Sequence, residues 1–173
     1  MTRGERKKQQ ISLELGKVRA ILRHIRNVHE NCLLLGEKLI ERGESLLGRK
    51  LIVQGFKHDL SKFLGIEWEQ MAPGQNQEQV PTAKLKLRLA IAHHNSTNDH
   101  HPEFWTSIHE MPRLAVAELV CDWKARSEEF GSSLRDYVKE RATKRWKFCE
   151  KDVIYKTIME FVDLLCEKPF SRV

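Results

Sequence analysis

The chain has 173 residues, 40% hydrophobic and 31% charged, with a net charge of +6 and a pI near 9.2. That length and balance suit one globular domain able to bury a core without disulfides or a structural metal, and they exclude a disordered chain. No apolar run approaches the roughly 20 residues of a membrane span, and the basic start Met1–Lys8 leads into no signal-like apolar block, so a cytoplasmic location is expected.

Residues 1–9 read as a flexible basic tail, and 10–173 as a single domain. From Ile11, the apolar positions Leu15, Val18, Leu22, Ile25, Val28, Cys32, Leu35 and Leu39 recur at steps of three and four, the pattern of one face of a long helix ended by Gly43. A second helix is predicted over 45–63, weakened by Gly48 and Gly55. A polar loop follows at 72–80. Pro81 opens a third helix that runs to His94. The turn-forming stretch Asn95–Pro102 comes next, then a fourth helix from Pro112 to about Phe130, and a last one over about 134–167, broken near Lys144. No repeat or convincing strand emerges. The fold class is therefore all-α, one compact bundle of about five main helices.

The four cysteines (Cys32, Cys121, Cys149 and Cys166) form no Cys-x-x-Cys pair and read as buried or half-buried thiols. The basic charge favours anionic partners: phosphorylated metabolites, nucleotides or nucleic acid.

Histidines and aspartates gather on the predicted helices. His29 follows Ile25 by four residues and precedes Cys32 by three, so it is expected to point inward with the apolar stripe. Asp59 lies between Phe56 and Phe63, and Asp122 sits beside Cys121 in an apolar segment. A buried carboxylate is unfavourable unless it is paired or binds a cation, and three inward polar groups on three helices are satisfied together if they share one. Imidazole and carboxylate donors suit Mn, Fe, Co, Ni or Zn. Two such ions bridged by an aspartate activate a water and clamp a phosphoester.

The order His29, His58-Asp59, His94, His101, Asp122 resembles the HD superfamily of metal-dependent phosphohydrolases. His58-Asp59-Leu60-Ser61-Lys62 is similar to its His-Asp-x-Gly-Lys motif, with serine where glycine is common. The resemblance extends over residues 24–130 and is nearest to small bacterial and phage HD-like proteins. It implies one or two divalent transition metals held by His29, His58, Asp59 and Asp122 at a first site, with Asp59 bridging. His94 and His101, chosen over His93 and His100, belong to a second site, and Lys62 contacts the substrate phosphate or orients the attacking water. The implied activity is hydrolysis of a phosphomonoester or phosphodiester, nucleotide-like, by a metal-activated water. An HD-fold di-iron oxygenase and a non-catalytic basic module for nucleic acid or a protein are the alternatives.

Around that set, Trp105 and Arg88 are candidate substrate contacts. The run Lys84–Arg88 reads as a solvated face or a phosphate-steering rim. Glu103 reads as a partner of a ligating histidine or a helix cap, His93 as a helix C-terminal cap, and His24 and His109 as surface or outer residues. Lys144–Lys147, basic with an aromatic, reads as an exposed helix or a nucleic-acid surface.

Overall fold

A computed structural model describes residues 2–71 and 81–166. The predicted loop 72–80 and the end of the last predicted helix at Glu167 lie outside the described residues. Those residues are helical with no strand, as the sequence patterning requires, and no helix among them is long and apolar enough to cross a membrane.

Helix α1 (Arg3–Glu41) starts well before the predicted Ile11. Thr2 and Glu5 form a capping box: Thr2 Oγ1 accepts from Glu5 N (3.2 Å), and Glu5 Oε2 accepts from Thr2 N (2.6 Å). Residues 3–9 are thus helical rather than a tail, and every residue from 2 to 16 is exposed. The buried face of α1 comprises Lys17, Ile21, His24, Val28, Asn31, Cys32, Leu35 and Leu39. Ile11, Leu15 and Leu22, on the predicted stripe, are about half exposed. The stripe is correct from Val28 onward and out of phase before it.

Helix α2 (Ser45–Gly55) doubles back along α1. The glycines that weaken its helix propensity permit the approach. A Cβ at Gly48 would stand 2.4 Å from the Gly36 carbonyl oxygen, and one at Gly55 would stand 2.8 Å from Cys32 Cβ. After α2 the chain turns through His58-Asp59 into a short 3-10 turn (Leu60–Phe63) and helix α3 (Gly65–Gln70), rather than continuing as one helix to Phe63.

Helix α4 (Pro81–Thr97) leads into the His100-His101 loop, with 3-10 turns at Pro102–Phe104 and Ile108–Glu110. Helix α5 (Arg113–Phe130), closed by Gly131 at φ 63°, runs through the middle. Ala115 to Trp123 are all buried, so it is enclosed on most sides rather than on one face. The predicted last helix is four pieces: α6 (Leu134–Tyr137), a π segment (Val138–Ala142), α7 (Thr143–Trp146) and α8 (Val153–Cys166). The break falls at Lys147 (φ 54°), before α8.

Val28, Cys32, Leu35 and Leu39 of α1 meet Leu51 of α2, Leu119 and Cys121 of α5, and Ile158, Phe161 and Val162 of α8 in one core. Cys149 and Cys166 are exposed, in contrast to the buried pair Cys32 and Cys121. Arg113 ties the ends together. Its guanidinium donates to Glu44 in the α1–α2 turn (3.0 and 3.1 Å) and to Glu160 of α8 (2.8 and 2.9 Å).

Candidate metal centre

Polar groups enter the interior from four directions. On α5, Glu118 and Asp122, four residues apart, are buried within the enclosed run Ala115–Trp123, and Arg126 and Glu129 continue the same stripe at steps of four and three toward solvent. On α1, His24 occupies the buried face. His58 and Asp59 come from the turn after α2, where Asp59 has φ 56° and ψ 18°. This left-handed conformation is open to aspartate and rare for most other non-glycine residues, and the turn it makes brings the carboxylate inside, 2% exposed. His94 comes from the end of α4, and His100 and His101 from the loop behind it.

These groups converge on Asp59, and its two oxygens face different sets. Oδ2 lies 3.4 Å from His24 Nε2 and 3.3 Å from His58 Nε2, and it accepts from the Lys62 ammonium. Oδ1 lies 3.2 Å from His94 Nε2 and 3.5 Å from His100 Nε2. Asp122 Oδ1 closes the first set, 3.0 Å from His24 Nε2 and 3.9 Å from His58 Nε2. His101 Nε2 closes the second, 3.0 Å from His94 Nε2.

The outer nitrogens are anchored on glutamates that the motif did not reveal. His24 Nδ1 lies 2.9 Å from Glu129, His58 Nδ1 2.9 Å from Glu118, and His94 Nδ1 2.7 Å from Glu67. His100 Nδ1 faces Glu118 at 3.5 Å. With Nδ1–H donating outward, Nε2 turns its lone pair inward. The inward atoms His24 Nε2, His58 Nε2, Asp59 Oδ1, His100 Nε2 and Asp122 Oδ1 are buried without a hydrogen bond of acceptable geometry. Lone pairs aimed at carboxylate oxygens require a proton or a cation between them.

The electrostatics agree. Burial alone would lower the His58 pKa, yet Asp59, Glu118 and Asp122 outweigh it and lift it to about 10. Burial would raise both aspartates, yet His58 and Lys62 hold Asp59 well below the usual carboxylate range, and His24 and His58 do the same for Asp122. His101 is pushed down to about 3 by burial and by neighbouring His100. Donor atoms of Asp59, His94, His100 and His101 lie within 4.8 Å of one another, as do those of His24, His58 and Asp59, and those of His58, His100 and Asp122. The residues present fit divalent cations.

Of the predicted ligands, His58, Asp59, His94, His101 and Asp122 come together, and His29 does not. It follows His24 by five residues and so points well away around the helix. Its ring packs on Phe56 (centroids 4.0 Å apart), with Nδ1 against Gly55. His24, read as an outer residue, takes its place because the buried face of α1 is centred on 21, 24 and 28. His100 joins the cluster alongside His101 instead of merely shaping the loop. His93 is half exposed and bonds Glu67 rather than serving as a cap (2.9 Å). His24→Ala is expected to lower metal affinity by more than the roughly 10–100-fold loss typical of removing an outer hydrogen-bond partner. His29→Ala should leave metal affinity near the wild-type value; calorimetric titration of both variants checks the pair.

A cleft of about 640 Å³ reaches the cluster between α1, α4 and the end of α5. His24 and Lys62 lie on it, Leu87 and Ile91 wall it, and its rim carries both signs of charge, Arg23 and Arg126 with Glu128 and Glu129. Arg88 is exposed and does not line it, because the helix turns Leu87 and Ile91 toward the cleft instead. Trp105 is not on it either: its indole N–H donates to Asp99 O (2.7 Å) and its ring packs on the core. Glu103 holds no histidine; it accepts from Arg145 (2.7 Å) and Trp146 Nε1 (3.2 Å), which draws the basic run Lys144–Lys147 into the fold. Trp146 stacks on Trp123 (5.3 Å), next to Asp122, and Trp68, beside Glu67, lies under the Lys17 ammonium.

Fold and site together define an all-α protein built round a buried histidine–aspartate cluster able to hold metal. A family model matches residues 14–167, and the chain belongs to that family, DUF5662, a family of unknown function. No curated protein and no solved structure matches it.

Proposed function

We propose that the chain is a cytosolic metal-dependent phosphohydrolase acting on a phosphomonoester or phosphodiester, nucleotide-like in size and charge. The observation that carries this reading is the division of Asp59: one oxygen faces His24 and His58, the other His94 and His100. A carboxylate so placed would bridge two cations, one held by His24, His58, Asp59 and Asp122, the other by Asp59, His94, His100 and His101. When bound, such a pair acidifies a water and neutralises charge on the attacking and leaving oxygens of a phosphoester. The resemblance to the HD superfamily supports the same reading once His24 stands in the first position.

The remaining roles belong to side chains. Lys62, 8% exposed, lies where the cleft meets the cluster. A fixed ammonium there favours charge growing on a phosphoryl oxygen, because a buried, preoriented cation needs no rearrangement during reaction. Arg23 offers positive charge at the opening, where Arg126 is paired with Glu129. Leu87 and Ile91 keep part of the cleft apolar, which leaves the polar contacts at its inner end to set orientation.

Elemental analysis of purified protein, followed by assays on aryl phosphate mono- and diesters and a nucleotide panel, tests the reading. One or two equivalents of Mn, Co, Ni, Zn or Fe together with phosphate release is the expected result. Iron with oxygen uptake and no hydrolysis would replace it with an oxygenase. Absence of metal even after reconstitution would leave a basic binding module.

A further inference from the structure

The three glutamates behind the histidines, Glu67 and Glu118 buried and Glu129 with its side chain 19% exposed, are unequally distributed. Among the histidines Glu129 meets only His24, a donor of the first set, through Oε1, and its other oxygen accepts from Arg126 (2.9 Å). Glu67 touches only His94 among the inward-facing histidines, a donor of the second set. Its Oε1 takes His93, while Ser61 Oγ donates at 2.9 Å to Oε2, the oxygen that meets His94. Glu118 spans both sets through His58 and His100.

We infer that these glutamates are positioning residues that address the two cation positions separately: Glu129 the first, Glu67 with Ser61 the second, and Glu118 both. The inference rests on the two-cation reading above. Each glutamate fixes which ring nitrogen carries the proton and how the ring is turned, and its negative charge makes the inward nitrogen a better donor. Glu67 is nearly inaccessible at 1% exposure and has three donors, so the geometry at His94 is over-determined. Ser61 stands where the resembling motif commonly has glycine, and its hydroxyl orients Glu67. Asn98 completes the group, its amide nitrogen 3.2 Å from Ser61 Oγ and donating to His94 O at 2.8 Å.

The test is Co²⁺ titration of the metal-free full chain, read by calorimetry and by visible absorption, on wild type and on Glu67→Gln, Glu129→Gln and Glu118→Gln. These substitutions keep side-chain volume and remove charge. Wild type is expected to bind in two steps. Glu67→Gln should keep the first step and weaken the second by roughly 10–100-fold; Glu129→Gln should do the reverse; Glu118→Gln should weaken both. Ser61→Gly, which removes one hydroxyl and leaves the glutamate, should reproduce the Glu67→Gln pattern at smaller size, and it carries the test if Glu67→Gln does not fold. Two unchanged steps in Glu67→Gln and Glu129→Gln, or equal weakening of both steps in every variant, would overturn the inference while leaving metal binding intact. No Co²⁺ uptake by folded wild type would overturn the metal reading and this inference with it.

Discussion

Asp59→Asn is expected to abolish metal retention and lower phosphoester hydrolysis by at least about 10³-fold, the scale of losing a preorganised charge stabiliser, while helical circular dichroism persists. The amide matches the carboxylate in shape, so the turn after α2 and its φ of 56° remain available to it. What is lost is the negative charge shared by His24, His58, His94, His100 and Lys62. Metal content by elemental analysis and turnover of an aryl phosphate check both arms.

A stability change accompanies it. In the metal-free protein the His58 pKa is raised to about 10, against about 6.5 in an unfolded chain. A raised folded-state value means that the stabilisation is complete below about pH 6.5 and is lost as pH climbs through about 10. Removing the Asp59 charge removes much of that rise, so unfolding free energy should depend less on pH between about 7 and 10 than in wild type. At neutral pH the variant should be weaker by roughly 3 kcal/mol, because Lys62 is left buried without its partner. Urea unfolding at both ends of that range measures the difference. Complete loss of helix would instead make Asp59 a structural residue.

Gly48→Ala is expected to destabilise the protein by about 2 kcal/mol without touching a single candidate ligand. Its new Cβ meets backbone, the Gly36 carbonyl oxygen, and also the Ile40 side chain at 2.8 Å. A carbonyl cannot swing aside as a side-chain end can, so α1 and α2 must separate. Overpacking of this kind commonly costs about 1–3 kcal/mol, and in a chain of this size 2 kcal/mol corresponds to a fall of about 4–8 °C in Tm. Because α1 holds His24 and α2 leads into His58-Asp59, the separation should also weaken metal binding. Thermal unfolding with and without added Mn²⁺ reads both effects.

Helix content was legible because tertiary burial and local periodicity agree over most of the chain. They part company on α1. Residues 2–16 are exposed and Leu22 faces outward, so Ile11, Leu15 and Leu22 follow an apolar rhythm that burial does not use. Phasing on that rhythm put His29 inside; phasing on Val28 and Leu35 alone selects His24. Gly48 and Gly55 look like helix breakers in a single sequence, and only the neighbouring helix explains them. Five of the six predicted ligands converge because the His-Asp pair and the spacing of later histidines are local signals. Glu67 left no such mark, and Glu129 only a faint one, as the far end of the stripe that runs through Asp122. Glu118 did have one: it precedes Asp122 by four residues on an apolar helix, as does a second donor on any shared face.

All four tryptophans adjoin elements that carry the site. Trp68 is next to Glu67, Trp105 is hydrogen-bonded to Asp99 ahead of the His100-His101 pair, Trp123 follows Asp122, and Trp146 stacks on Trp123. The chain's four indoles therefore all sit beside elements that carry the cluster. Indole emission in this protein reports on one place, so filling or emptying of the centre is readable as light, label-free, in dilute solution and on the timescale of mixing.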